Sequence, residues 1–124
     1  MLTLSPSVRI LLAPGDTDMR KSFDTLAALA RDGIGEDPLS GSLFVFCNRR
    51  RDRLKILYWD RSGYVLFAKR LEKGTFSWPD GRGRSKIEFT SAELSMLIGG
   101  IDLRSSRKRR WIDYRSPESS RPRA

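Results

Sequence analysis

Apolar and polar positions divide the chain into short segments whose period changes several times. Ser7 to Leu12 (SVRILL) reads as a strand that Pro14-Gly15 interrupts. From Met19 the spacing becomes helical, with Met19, Phe23, Leu26, Ala27 and Ala30 on one face. Asp16, Thr17 and Asp18 supply oxygens suited to capping its start, and Gly33 is the expected stop. Ile34 to Ser42 is a loop. Leu43 to Cys47 (LFVFC) is continuously apolar and short, the pattern of a strand buried on both faces.

Asn48 to Pro79 then forms a basic β-meander. Asn48 to Arg53 is its first connection. Leu54, Ile56 and Tyr58 alternate with Lys55, Leu57 and Trp59 in the next strand. Asp60 to Gly63 turns the chain into a strand over Tyr64 to Leu71. Short connections favour antiparallel pairing in sequence order. Thr75 to Trp78 is expected as a short edge strand ended by Pro79, and Ile87 to Phe89 as another strand. Thr90 and Glu93 have capping-box spacing before a helix that buries Leu94, Leu97 and Ile98 and stops at Gly99-Gly100. The expected fold is α+β: a small antiparallel β-meander sheet with two helices packed on one face. Residues 1–103 form one domain. Residues 104–124 are a basic tail with too little apolar surface to order by itself.

Charge changes this picture more than composition does. The net charge is +9, and 18 of the 24 basic residues are arginine. Residues 49–86 hold 12 Lys/Arg against four Asp/Glu, and residues 104–124 hold eight against two, whereas residues 1–48 are net acidic. Basicity held in blocks suits a polyanion, nucleic acid above all, although an arginine-rich genome would supply part of it. The chain has no histidine and one cysteine, which removes His-based acid–base chemistry, disulfides within the chain and cysteine metal clusters. The N-terminus lacks a charged n-region, and no stretch is long enough to span a membrane, so a reducing, cytoplasmic setting is expected.

The candidate nucleic-acid contacts are Arg49, Arg50, Arg51 and Arg53 at the first turn, and Lys55, Lys69 and Arg70 along the strands. Trp59 and Trp78 are placed for base stacking, and Arg107, Lys108, Arg109 and Arg110 in the tail. Asp52 is expected to answer one of the turn arginines, leaving phosphate to answer the rest. The aromatics fit a core role equally well, and the arginines also fit a soluble sheet edge. No cofactor or metal site is expected. A Mg²⁺-dependent nuclease would require convergence of several of Asp16, Asp18, Asp52, Asp60 and Glu72, which their spacing does not demand. Cys47 lies in the most apolar strand and reads as core.

Longer motifs point to a family. Asp18-Met19-Arg20-Lys21-Ser22-Phe23-Asp24 is followed by Asp37-Pro38, Ser40-Gly41 and Leu43 to Phe46. Asn48 to Arg53, Tyr58-Trp59-Asp60, Gly63, Lys69 to Glu72, Gly74, Phe76, Trp78-Pro79 and Gly99 to Asp102 continue the match. From about Arg9 to Leu103 the chain resembles the Orf2-like (TnpB) accessory proteins of the IS-sixty-six group of bacterial insertion sequences, which are distinct from the RNA-guided nucleases sharing that label. The resemblance implies a non-enzymatic accessory role in transposition. The expected partners are the DNA of the element ends, a separately encoded DDE-type transposase and a second small accessory protein, with nucleoid association when bound. A protein–protein adaptor without direct DNA contact is the alternative.

Overall fold

A computed structural model describes residues 7–100. Within them a five-stranded sheet has the order β4-β3-β2-β1-β5. The strands are β1 (Ile10–Leu12), β2 (Leu43–Cys47), β3 (Arg53–Trp59), β4 (Tyr64–Arg70) and β5 (Ile87–Phe89). Helices α1 (Phe23–Leu29) and α2 (Ser91–Ile98) complete the α+β fold.

The period of two decides the layering. Ile10, Leu12, Val45, Leu54, Ile56, Ile87 and Phe89 point to one face, where Leu94 and Leu97 of α2 cover them. Leu11, Phe44, Phe46 and Leu57 point to the other, under Leu26, Ala27 and Ala30 of the α1 segment. The two helices therefore lie on opposite faces, not on one as expected. Every residue of β1 and β2 is buried as a result, which is why both read as unbroken apolar runs.

The sheet is also mixed, not purely antiparallel. The meander β2-β3-β4 pairs antiparallel in sequence order, but β1 joins β2 in parallel and β5 adds antiparallel to β1. A parallel pair needs a crossover, and α1 is that crossover. No strand forms over Thr75 to Trp78. The Phe76 amide instead donates to the Arg51 carbonyl at 2.6 Å, and its ring enters the core as a single anchor.

Helix α1 starts later than expected. Asp18 spends its carboxylate on the Arg20 amide (2.9 Å), so the helix begins only after Ser22, whose amide donates to Thr25 Oγ1 at 2.9 Å. Phe23, at the first helical position, is 44% exposed and not on the buried face. A π-helical turn, Ala30–Ile34, extends the helix past Gly33 to Gly35, whose φ of 82° closes it. That extra turn buries Ile34, which the sequence placed in a loop. The Thr90–Glu93 capping box is present as expected, and α2 buries Met96 in addition to Leu94 and Leu97. Among the described residues no helix is long and apolar enough to cross a membrane.

An ion cluster joins the end of this crossover to β1 and β5. Glu36 accepts from Lys86 and from Arg9 Nη1, and Arg9 also holds Glu88 at 3.0 Å. The Lys86 hydrogen bond holds the Glu36 carboxyl below the usual range, and Arg9 does the same for Glu88. A depressed carboxyl stabilises the fold fully above its ordinary value of about 4.3 and loses that contribution as pH falls through the folded-state value. Glu36→Gln is therefore expected to lower stability at neutral pH, with the gap to the parent protein closing in acid. Denaturant titrations at neutral and acidic pH measure it, and an equal gap at both would contradict the assignment.

Candidate nucleic-acid interface

The turn from Asn48 to Arg53 is built on one amide side chain. Asn48 Oδ1 accepts from the Asp52 and Arg53 amides at 3.0 Å each, and its Nδ2 donates to Asp52 Oδ1 at 2.7 Å. The backbone is closed by Asn48 N–H to the Arg53 carbonyl and Arg51 N–H to the Asn48 carbonyl. Leu71 N–H then donates to the Asp52 carbonyl from the outside. Asp52 is thus occupied by Asn48 and has no ion pair with an arginine among the described residues, contrary to expectation.

The four arginines of this turn have different roles. Arg51 sits at φ 63°, a conformation that costs energy for a side chain and persists only where surroundings enforce it. Its Nη1 donates to the Gly15 carbonyl (3.0 Å) and the Asn48 carbonyl (3.1 Å), and its Nη2 pairs with Asp16 at 3.1 Å. The guanidinium also lies 5.7 Å from the Trp78 ring centroid. Arg51 is a strut between the turn, the β1–α1 loop and the 71–84 segment. Arg49, Arg50 and Arg53 are exposed and have no ion pair among the described residues.

The strand lysines are also engaged. Lys55 Nζ donates to the Met19 and Lys21 carbonyls at 2.8 Å each, on the α1 side. Lys69 Nζ donates to the Ile98 carbonyl at 2.8 Å, capping the C-terminal end of α2 on the other side. Arg70 pairs with Glu72 at 2.9 Å. Trp59 packs edge-on against Tyr64, with centroids 5.2 Å apart, at the far end of β3 from the turn, roughly 20 Å away along the strand. Trp78 is beside the turn, beneath Arg51. The tail residues Arg107, Lys108, Arg109 and Arg110 lie outside the described residues.

Two clefts adjoin at the Arg51 strut. One, of about 630 Å³, runs between Asp16 to Arg20 and the Asn48 to Arg53 turn, and is lined by Arg20, Arg49, Arg50 and Arg53. The other, of about 540 Å³, is lined by Pro14, Gly15, Arg51, Trp78 and the Pro79 to Arg82 loop. Gly81 closes that loop onto the domain: a Cβ there would lie 2.7 Å from Pro14 Cβ and 2.8 Å from Ile87 Cδ1. Sequence reasoning passed over Arg20 and Arg82. Both are 91% exposed at the side chain and both clasp the aspartate two residues earlier. Both belong to Asp-x-Arg triplets, a spacing that occurs four times in the sequence, and two of the four, Asp18-Met19-Arg20 and Asp80-Gly81-Arg82, fall within the described residues.

The carboxylates considered for a nuclease do not converge. Asp16 pairs with Arg51, Asp18 with Arg20 and Glu72 with Arg70, while Asp60 accepts from Ser62 and Gly63 in its own turn. Among the described residues no three His, Cys, Asp or Glu side chains are grouped closely enough to share a metal ion. Burial pushes the Cys47 thiol pKa up, which disfavours the reactive thiolate.

The family model described as IS66 Orf2-like protein matches residues 8–108. The uncharacterized protein y4hO of Sinorhizobium fredii is 42% identical over 104 residues, covering 84% of this chain and 90% of that protein. The uncharacterized protein y4jC of the same organism is 36% identical over 102 residues, covering 82% and 86%. No solved structure matches.

Because Arg51 and Asn48 hold the turn while their neighbours face solvent, the turn should divide cleanly under mutation. Arg51→Ala and Asn48→Ala are each expected to cost about 1–3 kcal/mol, as partly buried hydrogen-bonding groups do. The combined Arg49→Ala, Arg50→Ala, Arg53→Ala variant should stay within roughly 0.5 kcal/mol of the parent. Equilibrium unfolding in urea separates the two outcomes.

Proposed function

The chain belongs to the IS66 Orf2-like family, whose membership points to an accessory role in transposition, and we propose that it serves that role by gripping the DNA backbone with Arg49, Arg50 and Arg53. The observation that carries this reading is the distribution of ion pairs. Arg9, Arg20, Arg31, Arg51, Arg70 and Arg82 each have a carboxylate partner within the domain. Arg49, Arg50, Arg53, Arg61 and Arg84 have none among the described residues, and three of these five crowd one turn. Like charges held together without a counterion destabilise one another, and phosphate oxygens relieve that repulsion while accepting two guanidinium hydrogen bonds each. The residues beneath them are fixed by the Asn48 hydrogen bonds and the Arg51 strut, so the three side chains start from a rigid base. The tail arginines and Lys108 would add salt-sensitive affinity of the same kind. The chain's role is binding; the chemistry of strand transfer belongs to the separate transposase.

An electrophoretic shift assay with duplex DNA from the element ends tests the reading. The parent protein should retain the duplex. The triple alanine variant should bind more weakly, with the slope of log affinity against log salt smaller by about three. Equal binding by the variant removes these residues from the interface, and no retention by the parent refutes the function.

A second reading, as a protein adaptor, is favoured by the edge of the sheet. Strand β4 is outermost, and the hydrogen-bond alternation set by Asp60–Gly63 and Asp52–Leu71 turns the main chain of Tyr64, Leu66, Ala68 and Arg70 away from β3. Such an edge accepts a strand from another protein. Under this reading the transposase co-purifies from nuclease-treated lysate with the triple alanine variant as well as with the parent, and a proline at Leu66 abolishes the association.

A further inference from the structure

The Asp18–Arg20 and Asp80–Arg82 clasps have the same geometry, and the fold uses the backbone half of the first but the guanidinium half of neither. In the first, Asp18 Oδ1 accepts from the Arg20 amide at 2.9 Å, and the carboxylate then takes Arg20 Nε at 3.1 Å and Nη2 at 2.7 Å. In the second, Asp80 Oδ1 accepts from the Arg82 amide at 3.0 Å, and the carboxylate takes Arg82 Nε at 3.3 Å and Nη2 at 2.9 Å. The backbone hydrogen bond fixes the aspartate, and the aspartate fixes the guanidinium side-on. That leaves the other edge of each guanidinium, Nη1 with the outward N–H of Nη2, as a free fork aimed outward. Exposed ion pairs of this kind add little stability. They do remove the rotamer freedom that a long arginine side chain would otherwise lose on binding.

Their placement is as informative as their form. Arg20 lines the cleft that holds Arg49, Arg50 and Arg53, and Arg82 lines the adjoining cleft across the Arg51 strut. A third clasp, Arg31 to Asp32, lines neither cleft, and its hydrogen bonds include none from the Arg31 amide to Asp32. A buttressed fork with two parallel N–H donors matches two adjacent acceptors in one plane. In DNA the base edge offering that pair is guanine, with O6 and N7.

We propose that Arg20 and Arg82 are specificity-determining residues that read guanine through O6 and N7, while the unpaired arginines of the turn hold the phosphates. This rests on the DNA-binding reading and adds a base-recognition step to it. Phosphate would also accept such a fork, and the two acceptors are separable by experiment.

The test compares element-end duplexes that differ only in guanine or 7-deazaguanine, which lacks the N7 acceptor and keeps every phosphate. The parent protein should bind the 7-deazaguanine duplex roughly tenfold more weakly, within the range for loss of a bidentate base contact. Arg20→Lys and Arg82→Lys keep the charge and lose the fork, so each should reduce that discrimination while leaving the salt slope unchanged. Arg31→Lys should behave as the parent. Equal binding of the two duplexes by the parent overturns the guanine assignment and leaves backbone binding standing. Lysine variants that lose affinity equally for both duplexes assign the forks to phosphate and also overturn it. Failure to bind either duplex refutes the DNA-binding reading itself.

Discussion

The candidate surface depends on one half-buried contact, the guanidinium of Arg51 on the Gly15 and Asn48 carbonyls, Asp16 and the face of Trp78. Its partners come from three separate parts of the chain: the β1–α1 loop, the β2–β3 turn and the segment that returns after β4. Besides it, these loops are joined by backbone hydrogen bonds from Thr17, Leu71 and Phe76. The contact also explains why a residue with a side chain occupies a left-handed position that glycine would take more easily. Removing the strut would loosen the clefts on both sides of it, since each uses the Gly15–Asp16 wall.

What the sequence revealed follows the range of the interaction. Local signals held: the Thr90–Glu93 capping box, the alternation of Leu54 to Trp59 and the tight turn at Asp60 to Gly63. The layering was partly visible, because LFVFC reads as buried on both faces, and a strand buried on both faces needs cover on both. Placing the two helices on one face conflicted with that reading, and the alternation of Ile10, Leu11 and Leu12 between the two cores resolves it. The parallel β1–β2 pair was hidden because its register is set by the crossover and not by any turn residue. The site was less legible than the fold. Arg49, Arg50 and Arg51 are chemically identical in the sequence, and only the approach of Gly15 and Asp16, 36 and 35 positions away, makes one of them structural.

The lysines show the same principle. Lys55 and Lys69 are half-buried, and each stem runs along the apolar layer until the amine meets an acceptor. Lys55 reaches the backbone before α1 and Lys69 reaches the last carbonyl of α2. Each ties one helical layer to the sheet through a charge-assisted hydrogen bond. A count of positive charge along the meander therefore overstates the charge on offer to a ligand. Lys55 and Lys69 are committed to holding the three layers together.

Apart from Arg51, the arginines that line the two clefts fall into two chemically different groups. Arg49, Arg50 and Arg53 are free of intramolecular partners among the described residues, and they carry the rotamer freedom that lets a guanidinium follow a phosphate whose position varies along a duplex. Arg20 and Arg82 are held in one orientation, which suits an acceptor pair of fixed geometry and would hinder tracking of a backbone. Positioning and discrimination place opposite demands on a side chain. On the proposed reading, a turn that leaves its arginines loose, beside aspartates that lock two others, would meet both demands. The acidic residues lining the clefts, Asp16, Asp18, Asp52 and Asp80, would weaken a purely electrostatic grip, and the two that clasp arginines, Asp18 and Asp80, are better explained by orientation than by charge.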